Sequence, residues 1–560
     1  MIRQELTKAI EAALVQAKLP LISFTLEHPS ELKNGDYATN VALVLAKQTE
    51  RNPKETAELI KSALMEQGYA YIEKVEVAGP GFINFHLARS FFAESITKII
   101  GEDAAWGRVS SYEGTLVMME YTSPNLFKPL HIGNLVGNIL GESIARLFEF
   151  SGASVKRINY PSDIGLTVAK GVWSLKKNAL NPSDITELGK AYVEGNRAYE
   201  TDPLAKKEIE AVNVALYGDS DPELSELRRV GIETSRRHLG TLCAKLGTTF
   251  DSEFFESESG PLGKELVTAK VDEVFEKSEG AVVYRGENEG LHTRVFLNSQ
   301  GLPTYEAKEV GLFELKRKAY PKFDISITVT GGEQREFFAV VFAAIRKVFG
   351  KAAHGKELKH IANGFLRLTT GKMSSRKGNV ITGESVIADV EGAAREKMKE
   401  TRSLDENLAT AVAVGAIKYS VLRQGTGRDI IFDVEKSLSL EGDSGPYLQY
   451  AHTRAVSVMR KAEEAKLEAD GGEAPTETYE VERLLYRFPE VVGRASKEHE
   501  PHYLTTYLTQ VAGAFNSFYA KERIVDDKKF GAYKLALTEA FANTMRNGLW
   551  LLGIAAPERM

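Results

Sequence analysis

The chain has 560 residues, 43% of them hydrophobic, 26% charged and 9% aromatic, which at ~150 residues per domain leaves room for three or four compact units and excludes a disordered chain. Lysine and arginine number 71 against 77 aspartates and glutamates, and a net charge of −6 argues against a protein devoted to coating nucleic acid, though it does not exclude a local basic track. The one cysteine, Cys243, excludes an intramolecular disulfide framework and a zinc site of paired thiolates and fits a reducing cytoplasm; no residue is singled out as a metal ligand.

The opening segment sets Leu6, Ala9, Ile10, Ala13 and Leu14 on one face of an amphipathic helix. Its charges interrupt what would be a continuously apolar signal peptide, and no run reaches the ~18 apolar residues that span a bilayer, so no membrane association is expected. After the turn-rich NGDYATN, the stretches VALVLAKQ and NPKETAELIKSAL read as helices, with Pro53 suited to a first turn. IEKVEVAGPGFINFHL alternates around AGPG as a hairpin does, which makes 1–110 an α+β module. TLVMMEY is then a strand, GNLVGNILGESIARLFEFSG a helix ending at Gly152, and VKRINY a second strand. With DISITVTGG later on, that order predicts a right-handed βαβ crossover and a parallel sheet with helices on both faces over 111–390. The charged stretch at about 175–285 shows no strand alternation and reads as a helical insertion. From 391 to 560 helical periodicity dominates, predicting an all-α bundle, with EADGGEAPTETYE left as a solvated loop.

Two clusters carry chemistry. In SPNLFKPLHIGN, His131 and Gly133 stand where a helix begins, so outward amides favour an anion and the glycine lets a nucleotide approach. The bland alternative is a histidine that caps its own helix. In TTGKMSSRKGN, Lys372, Arg376 and Lys377 concentrate positive charge on a loop of small residues, as a departing pyrophosphate requires; read alone, it is a solvated basic turn.

Together these elements resemble the HIGH and KMSKS signatures of class I aminoacyl-tRNA synthetases. MEYTSPNLFKPLHIGN, GLPTYEAKEVG, GKMSSRKGN, FDVEKSLSLEGDSGPYLQYAHTRA and LLGIAAPERM resemble the arginyl-tRNA synthetases in order and spacing, and GDYATNVALVLAK and VEVAGPGFINFHL look like that family's N-terminal domain. The resemblance implies a multidomain α/β protein: a Rossmann-like catalytic domain, an α+β N-terminal domain that binds the tRNA elbow, and an all-α anticodon-binding domain. It implies ATP-dependent activation of L-arginine, with Mg2+ on the ATP phosphates, and transfer to the terminal 2′-hydroxyl of tRNA-Arg. His131, Gly133 and Asn134, with Lys128 and Pro129, would hold ATP from one sheet half, and Lys372, Met373, Ser374 and Arg376 from the other. The second histidine of HIGH is Asn134 here, the second lysine of KMSKS is Ser375, and the family's GDWG appears as SDIG, which retains Asp163.

A guanidinium demands carboxylates in planar geometry. The resemblance assigns arginine binding to Glu120, Ser123, Asn125, Tyr305, Glu309 and Gln334; the family usually has aspartate where Glu309 stands. It assigns tRNA binding to Tyr37 and Asn40 in the N-terminal module and to Tyr447, Gln449, Tyr450, His452 and Arg454, which mix aromatic faces with hydrogen-bond donors. Tyr503, Tyr507, Phe515, Phe518 and Tyr519 have the spacing of a helix core. A cysteinyl-tRNA synthetase would need zinc-bound thiolates, and a free-standing nucleotidyltransferase has no use for two RNA-reading domains. The alternative kept from another class is a catalytically inactive synthetase-like tRNA-binding protein, prompted by Asn134, Ser375 and SDIG. The ligase is read as a cytoplasmic monomer whose arginine activation can require bound tRNA.

Overall fold

The opening periodicity is realised as a helix, Ile2–Gln16, with all five of its predicted apolar residues buried. In this computed structural model, which describes residues 2–369, 382–399, 405–469, 472–526 and 528–560, Pro53 opens the helix Pro53–Gln67 and the Asn52 side chain caps it, accepting from Lys54 N–H at 2.9 Å. The predicted hairpin forms between Ile72–Ala78 and Phe82–Leu87. The NGDYATN stretch differs from a turn: Tyr37–Thr39 is a strand, paired antiparallel to Phe82–Leu87 and Leu26–Glu27. Its polar spelling hides the strand, but Tyr37 is fully buried and anchors it in the module's core.

The central sheet has five strands: β1 (Leu116–Glu120), β2 (Ser154–Asn159), β3 (Ser252–Glu253), β4 (Ile325–Gly331) and β5 (Glu357–Asn363). They run parallel in the order β5-β4-β1-β2-β3. Val117, Met118 and Met119 are completely buried, as a parallel strand covered on both faces requires. The helices that frame the site are α1 (Ile132–Phe150), α2 (Pro222–Lys245), α3 (Glu256–Ala269), α4 (Tyr305–Ala319) and α5 (Gly383–Lys399). The chain leaves β1 for β2 on one side, and β4 later flanks β1 on the other. The crevice outside the carboxyl ends of β1 and β4 is therefore a topological switch point, where open α/β sheets bind ligands.

The 175–285 stretch is helical in most of its length but is not strand-free. It supplies β3 to the edge of the sheet and an antiparallel pair, Glu276–Ser278 with Ala281–Tyr284. Strands of two to four residues are too short to display a period of two.

Beyond the sheet the chain is mainly helical, including α6 (Glu406–Leu422), α7 (Gly445–Glu464), α8 (His502–Lys521) and α9 (Gly531–Leu551). It departs from the all-α expectation at Ile430–Phe432, a strand of three residues, too short to show a period of two, paired parallel to Leu366–Leu368. One hydrophobic cluster runs from Val117 and Leu135 into Leu508, Phe515 and Phe541, so sheet and bundle share a core. The N-terminal module has its own core, joined to the bundle by Tyr486, by the Tyr37 hydroxyl donating to Glu490 and by Arg89 donating to Glu482 at 2.9 Å. Among the described residues no helix is long and apolar enough to cross a membrane.

Candidate active site

The turn between β1 and α1 holds three non-glycine residues at positive φ: Thr122 at 77°, Ser123 at 37° and Phe127 at 68°. Such conformations cost of order 1–3 kcal/mol each and persist where surroundings enforce them. Asn134 donates to the Thr122 carbonyl at 2.7 Å, Asn138 to its hydroxyl at 2.9 Å, and the Ser123 N–H to Asn159 at 3.2 Å. Ser123 Oγ also accepts from Tyr160 N–H at 3.3 Å, tying the turn to the end of β2.

His131 is the N-cap of α1, and its Nδ1 accepts from Gly133 N–H at 3.1 Å. His131 thus caps its own helix, as the bland reading has it. Burial and the Lys128 ammonium hold its pKa below the usual histidine range, against Glu333, so the ring is neutral. A neutral ring that accepts at Nδ1 carries its proton on Nε2, leaving an N–H donor beside the positive end of a 19-residue helix. Glu333 belongs to the Gly332–Gln334 turn after β4, which brings half-buried Gln334 to the other wall of the crevice. Lys128 lies 5.8 Å from the centre of the Tyr192 ring. Pro129 lines a cavity behind the turn, and Asn125 is exposed, with its backbone paired to Ser162.

Lys372, Met373, Ser374, Ser375, Arg376 and Lys377 lie outside the described residues. The chain that follows them returns to the same turn: Thr382 pairs with His131, and Gly383 N–H donates to the Leu130 carbonyl at 2.8 Å.

Deeper in the crevice, Glu120 ends β1 with 2% exposure and pairs with Lys316 of α4 at 2.9 Å. Glu309 lies two turns earlier on α4. Burial and then the Glu120 carboxylate raise its pKa well above the ordinary glutamate range, against Lys316, and Glu256 and Glu306 add to the rise. Lys316, the cation that acts on Glu309, is hydrogen-bonded to Glu120, and Glu309 has no salt-bridged cation among the described residues. Tyr160 is packed into the same region, donating to or accepting from Ser259 at 2.6 Å. Its pKa is raised by burial and then by Glu256, Glu309 and Glu120, which marks these groups as neighbours. Glu256 is itself buried and ion-paired with Lys308 at 2.5 Å. This pairing depends on a close crossing of α3 and α4: a Cβ on Gly263 or Gly311 would stand 1.9 Å from a carbonyl of the other helix. Tyr305, 62% exposed, stands at the first turn of α4. Asp163 accepts from Ser257 N–H at 2.9 Å and pairs with Arg228 at 2.6 Å, so it locks α2 and α3 to the sheet. Tyr160 and Glu256 were missed in the sequence. The signal for Tyr160 was its place at the carboxyl end of VKRIN; Glu256 had none within ESES.

The predicted RNA-contacting residues divide. Tyr37 is buried at the module interface, and Asn40 accepts from Thr25 N–H at 2.9 Å. Gln449 is fully buried, donating to the Ala411 and Ala555 carbonyls at 3.2 and 3.0 Å, and buried His452 faces the Pro557 carbonyl at 3.1 Å. Tyr37, Gln449 and His452 are therefore corrected to packing residues, since all three are buried, with the Tyr37 hydroxyl, Gln449 Nε2 and His452 Nδ1 held by protein partners. Tyr447, Tyr450 and Arg454 remain partly exposed. The Arg454 guanidinium lies 4.8 Å from the Tyr450 ring and 5.0 Å from Tyr519, which is 40% exposed, and Asn516 donates to the Tyr447 hydroxyl at 3.0 Å. In the second aromatic stripe Tyr507, Phe515 and Phe518 are core, while Tyr519 joins this outer platform.

The fold is thus a parallel sheet whose switch point carries a helix-capping histidine, with a helical bundle fused to it, and its relatives place it among the class I tRNA synthetases. Three family models match the chain: the arginyl tRNA synthetase N-terminal domain over residues 1–87, the class I (R) tRNA synthetase catalytic domain over 95–434, and the DALR anticodon binding domain over 448–560. An arginine–tRNA ligase of Clostridium acetobutylicum is 32% identical, with 96% of each chain covered, and one of Streptococcus agalactiae is 31% identical, covering 99% of this chain and 100% of its own. The crystal structure of Thermus thermophilus arginyl-tRNA synthetase superposes with a TM-score of 0.79 at 26% identity, each chain fully covered. The chain belongs to the arginyl-tRNA synthetase family.

Proposed function

We propose that this chain is an arginine–tRNA ligase, and the observation that carries the reading is Glu309: a carboxylate held beside Glu120, without a salt-bridged cation among the described residues, in the wall of a nucleotide crevice. Such a pocket calls for a cationic ligand, and a guanidinium satisfies it with planar, charge-assisted hydrogen bonds. In the first step the arginine carboxylate oxygen bonds to the α-phosphorus of ATP while the bond to the β-phosphate breaks, releasing pyrophosphate. In the second, the 2′-hydroxyl of the terminal adenosine of tRNA-Arg attacks the activated carbonyl and AMP leaves. Both steps pass through anionic transition states, which positioning and donated hydrogen bonds stabilise.

His131 Nε2–H and the amides at the start of α1 would donate to phosphate oxygens, with Gly133 leaving room for the nucleotide. Lys372 and Arg376 would bring positive charge to the phosphates and Ser374 a hydroxyl donor, with Met373 beside them. Asn125, Ser123, Tyr305 and Gln334 would line the arginine site, with Tyr160 supporting it. Mg2+ would neutralise phosphate charge when bound. Tyr447, Tyr450, Arg454 and Tyr519 would stack on unpaired bases of tRNA-Arg, and Asn40 would face it from the N-terminal module. We read the enzyme as a cytoplasmic monomer. Asn134 removes one motive for the inactive alternative, because its amide braces the strained turn.

Purified protein given ATP, Mg2+, arginine and cognate tRNA is expected to form arginyl-tRNA. Pyrophosphate exchange should be measured with and without tRNA. Failure to form arginyl-tRNA would overturn the reading.

A further inference from the structure

The peptide of Leu130, immediately before His131, is gripped from both sides by the start of α5. Its carbonyl accepts from Gly383 N–H at 2.8 Å, and its N–H donates to Glu384 Oε1 at 3.1 Å. The same oxygen lies 3.2 Å from His238 Nε2 on α2. An acidic residue in a first helical turn ordinarily serves its own helix. Here that start is capped by others: Ser385 N–H donates to Thr382 Oγ1 at 3.1 Å and Thr382 N–H to Ser385 Oγ at 3.2 Å. Glu384 is thereby free to reach across to the turn. Burial favours its neutral form, but the His238 hydrogen bond and the Leu130 N–H outweigh this and keep it ionised, an acceptor only.

The turn needs such a hold. Thr122 is braced by Asn134 and Asn138, whereas Leu130 lies at the far end: its side chain packs with Leu239 and Leu242, but the direction of its peptide plane is set by the hydrogen bonds to Gly383 and Glu384. We propose that Glu384 is a positioning residue for nucleotide binding: it fixes the Leu130 peptide plane, and with it the direction in which His131 and the first amides of α1 face the ATP phosphates. The inference rests on the ligase reading. A small displacement of such donors is costly, because they act only when aimed at the developing charge.

The test compares wild type, Glu384→Ala and Glu384→Gln in aminoacylation, with arginine binding by calorimetry and thermal midpoints measured alongside. Glu384→Ala is expected to lower kcat/KM for ATP by about ten- to a hundredfold, the loss of one hydrogen bond to a charged acceptor, while arginine affinity and thermal midpoint hold. Glu384→Gln should recover most of the loss, since its amide oxygen still accepts from Leu130. If Glu384→Ala fails to fold, the near-isosteric Glu384→Met replaces it. Unchanged ATP kinetics in an active enzyme would overturn the positioning role, and so would parallel losses in ATP use, arginine affinity and thermal midpoint. An inactive wild type would instead refute the ligase reading.

Discussion

Replacing Glu309 by glutamine removes one negative charge and almost no volume from the carboxylate pocket. In the empty protein that charge is unfavourable, since burial and Glu120 together raise its pKa while Lys316 is occupied by Glu120 at 2.9 Å. A hydrogen bond to a charged group contributes about 1.5–3 kcal/mol, which at about 1.4 kcal/mol per decade is a loss of roughly ten- to a hundredfold in arginine affinity. Below the raised pKa Glu309 is already neutral, so the ligand-free variant should match wild type there; above it the substitution relieves repulsion with Glu120 and Glu256, so the thermal midpoint should exceed that of wild type. The pH dependence has a definite sign. A carboxyl whose folded pKa is raised favours the folded state fully below its unfolded pKa, and that contribution is lost as pH rises through the folded value. A guanidinium selects the ionised form, so arginine affinity should fall as pH drops through the raised pKa, with proton release on binding. Glu309→Gln should abolish that release. Calorimetric titration in buffers of different ionisation enthalpy reads affinity and proton release together. An unchanged arginine Kd, or a Glu309→Gln variant less stable than wild type when empty, would refute the placement of Glu309 in an arginine pocket.

Three further outcomes are expected. Gly141→Ala gains ~1 kcal/mol of helix propensity but drives a Cβ to 2.4 Å from the fully buried Tyr121 ring, whose hydroxyl is tied to Glu142 at 2.5 Å. Overpacking at about 1–3 kcal/mol wins, so the thermal midpoint should fall; an unchanged or raised midpoint would contradict this. Lys418, with burial and then Arg146 lowering its pKa to about 7, donates to the Leu246 and Gly553 carbonyls at 2.6 and 2.5 Å. The unfolded chain keeps that proton to ~10.4, so this group's contribution to stability rises as pH climbs from about 7. Lys418→Met should cost about 1–3 kcal/mol in unmet carbonyls, and its deficit should widen above pH 7; a pH-independent gap would count against the shifted lysine. Tyr450→Ala and Arg454→Ala should each raise KM for tRNA about tenfold or more with arginine Kd unchanged, whereas Gln449→Met should lower the thermal midpoint. Equal tRNA kinetics in the first two would remove that platform from RNA recognition.

Local signals carried far in this chain. The opening helix, the hairpin around AGPG, the strand TLVMMEY and the start of α1 were legible because periodicity, turn residues and a helix start are properties of a few adjacent residues. The strand at Tyr37 was not, since polar NGDYATN becomes a strand only when a tyrosine is drawn into a core assembled from distant segments. Likewise Gln449, Tyr450 and His452 are near neighbours in sequence, yet only Tyr450 keeps an open face. A helix turns successive side chains ~100° apart, and the neighbouring helices and the chain's last residues decide which direction is inside.

The sequence by itself determined the strand, turn and helix from β1 to α1 and the order of modules, because these are set by residue type and spacing. Only the tertiary structure decided that Lys316 is hydrogen-bonded to Glu120 rather than Glu309, that Tyr160 and Glu256 border the same pocket, and that Glu384 holds the turn from 254 residues away. The physical reason is that charge pairing and burial depend on distance in space, which spacing along the chain does not contain.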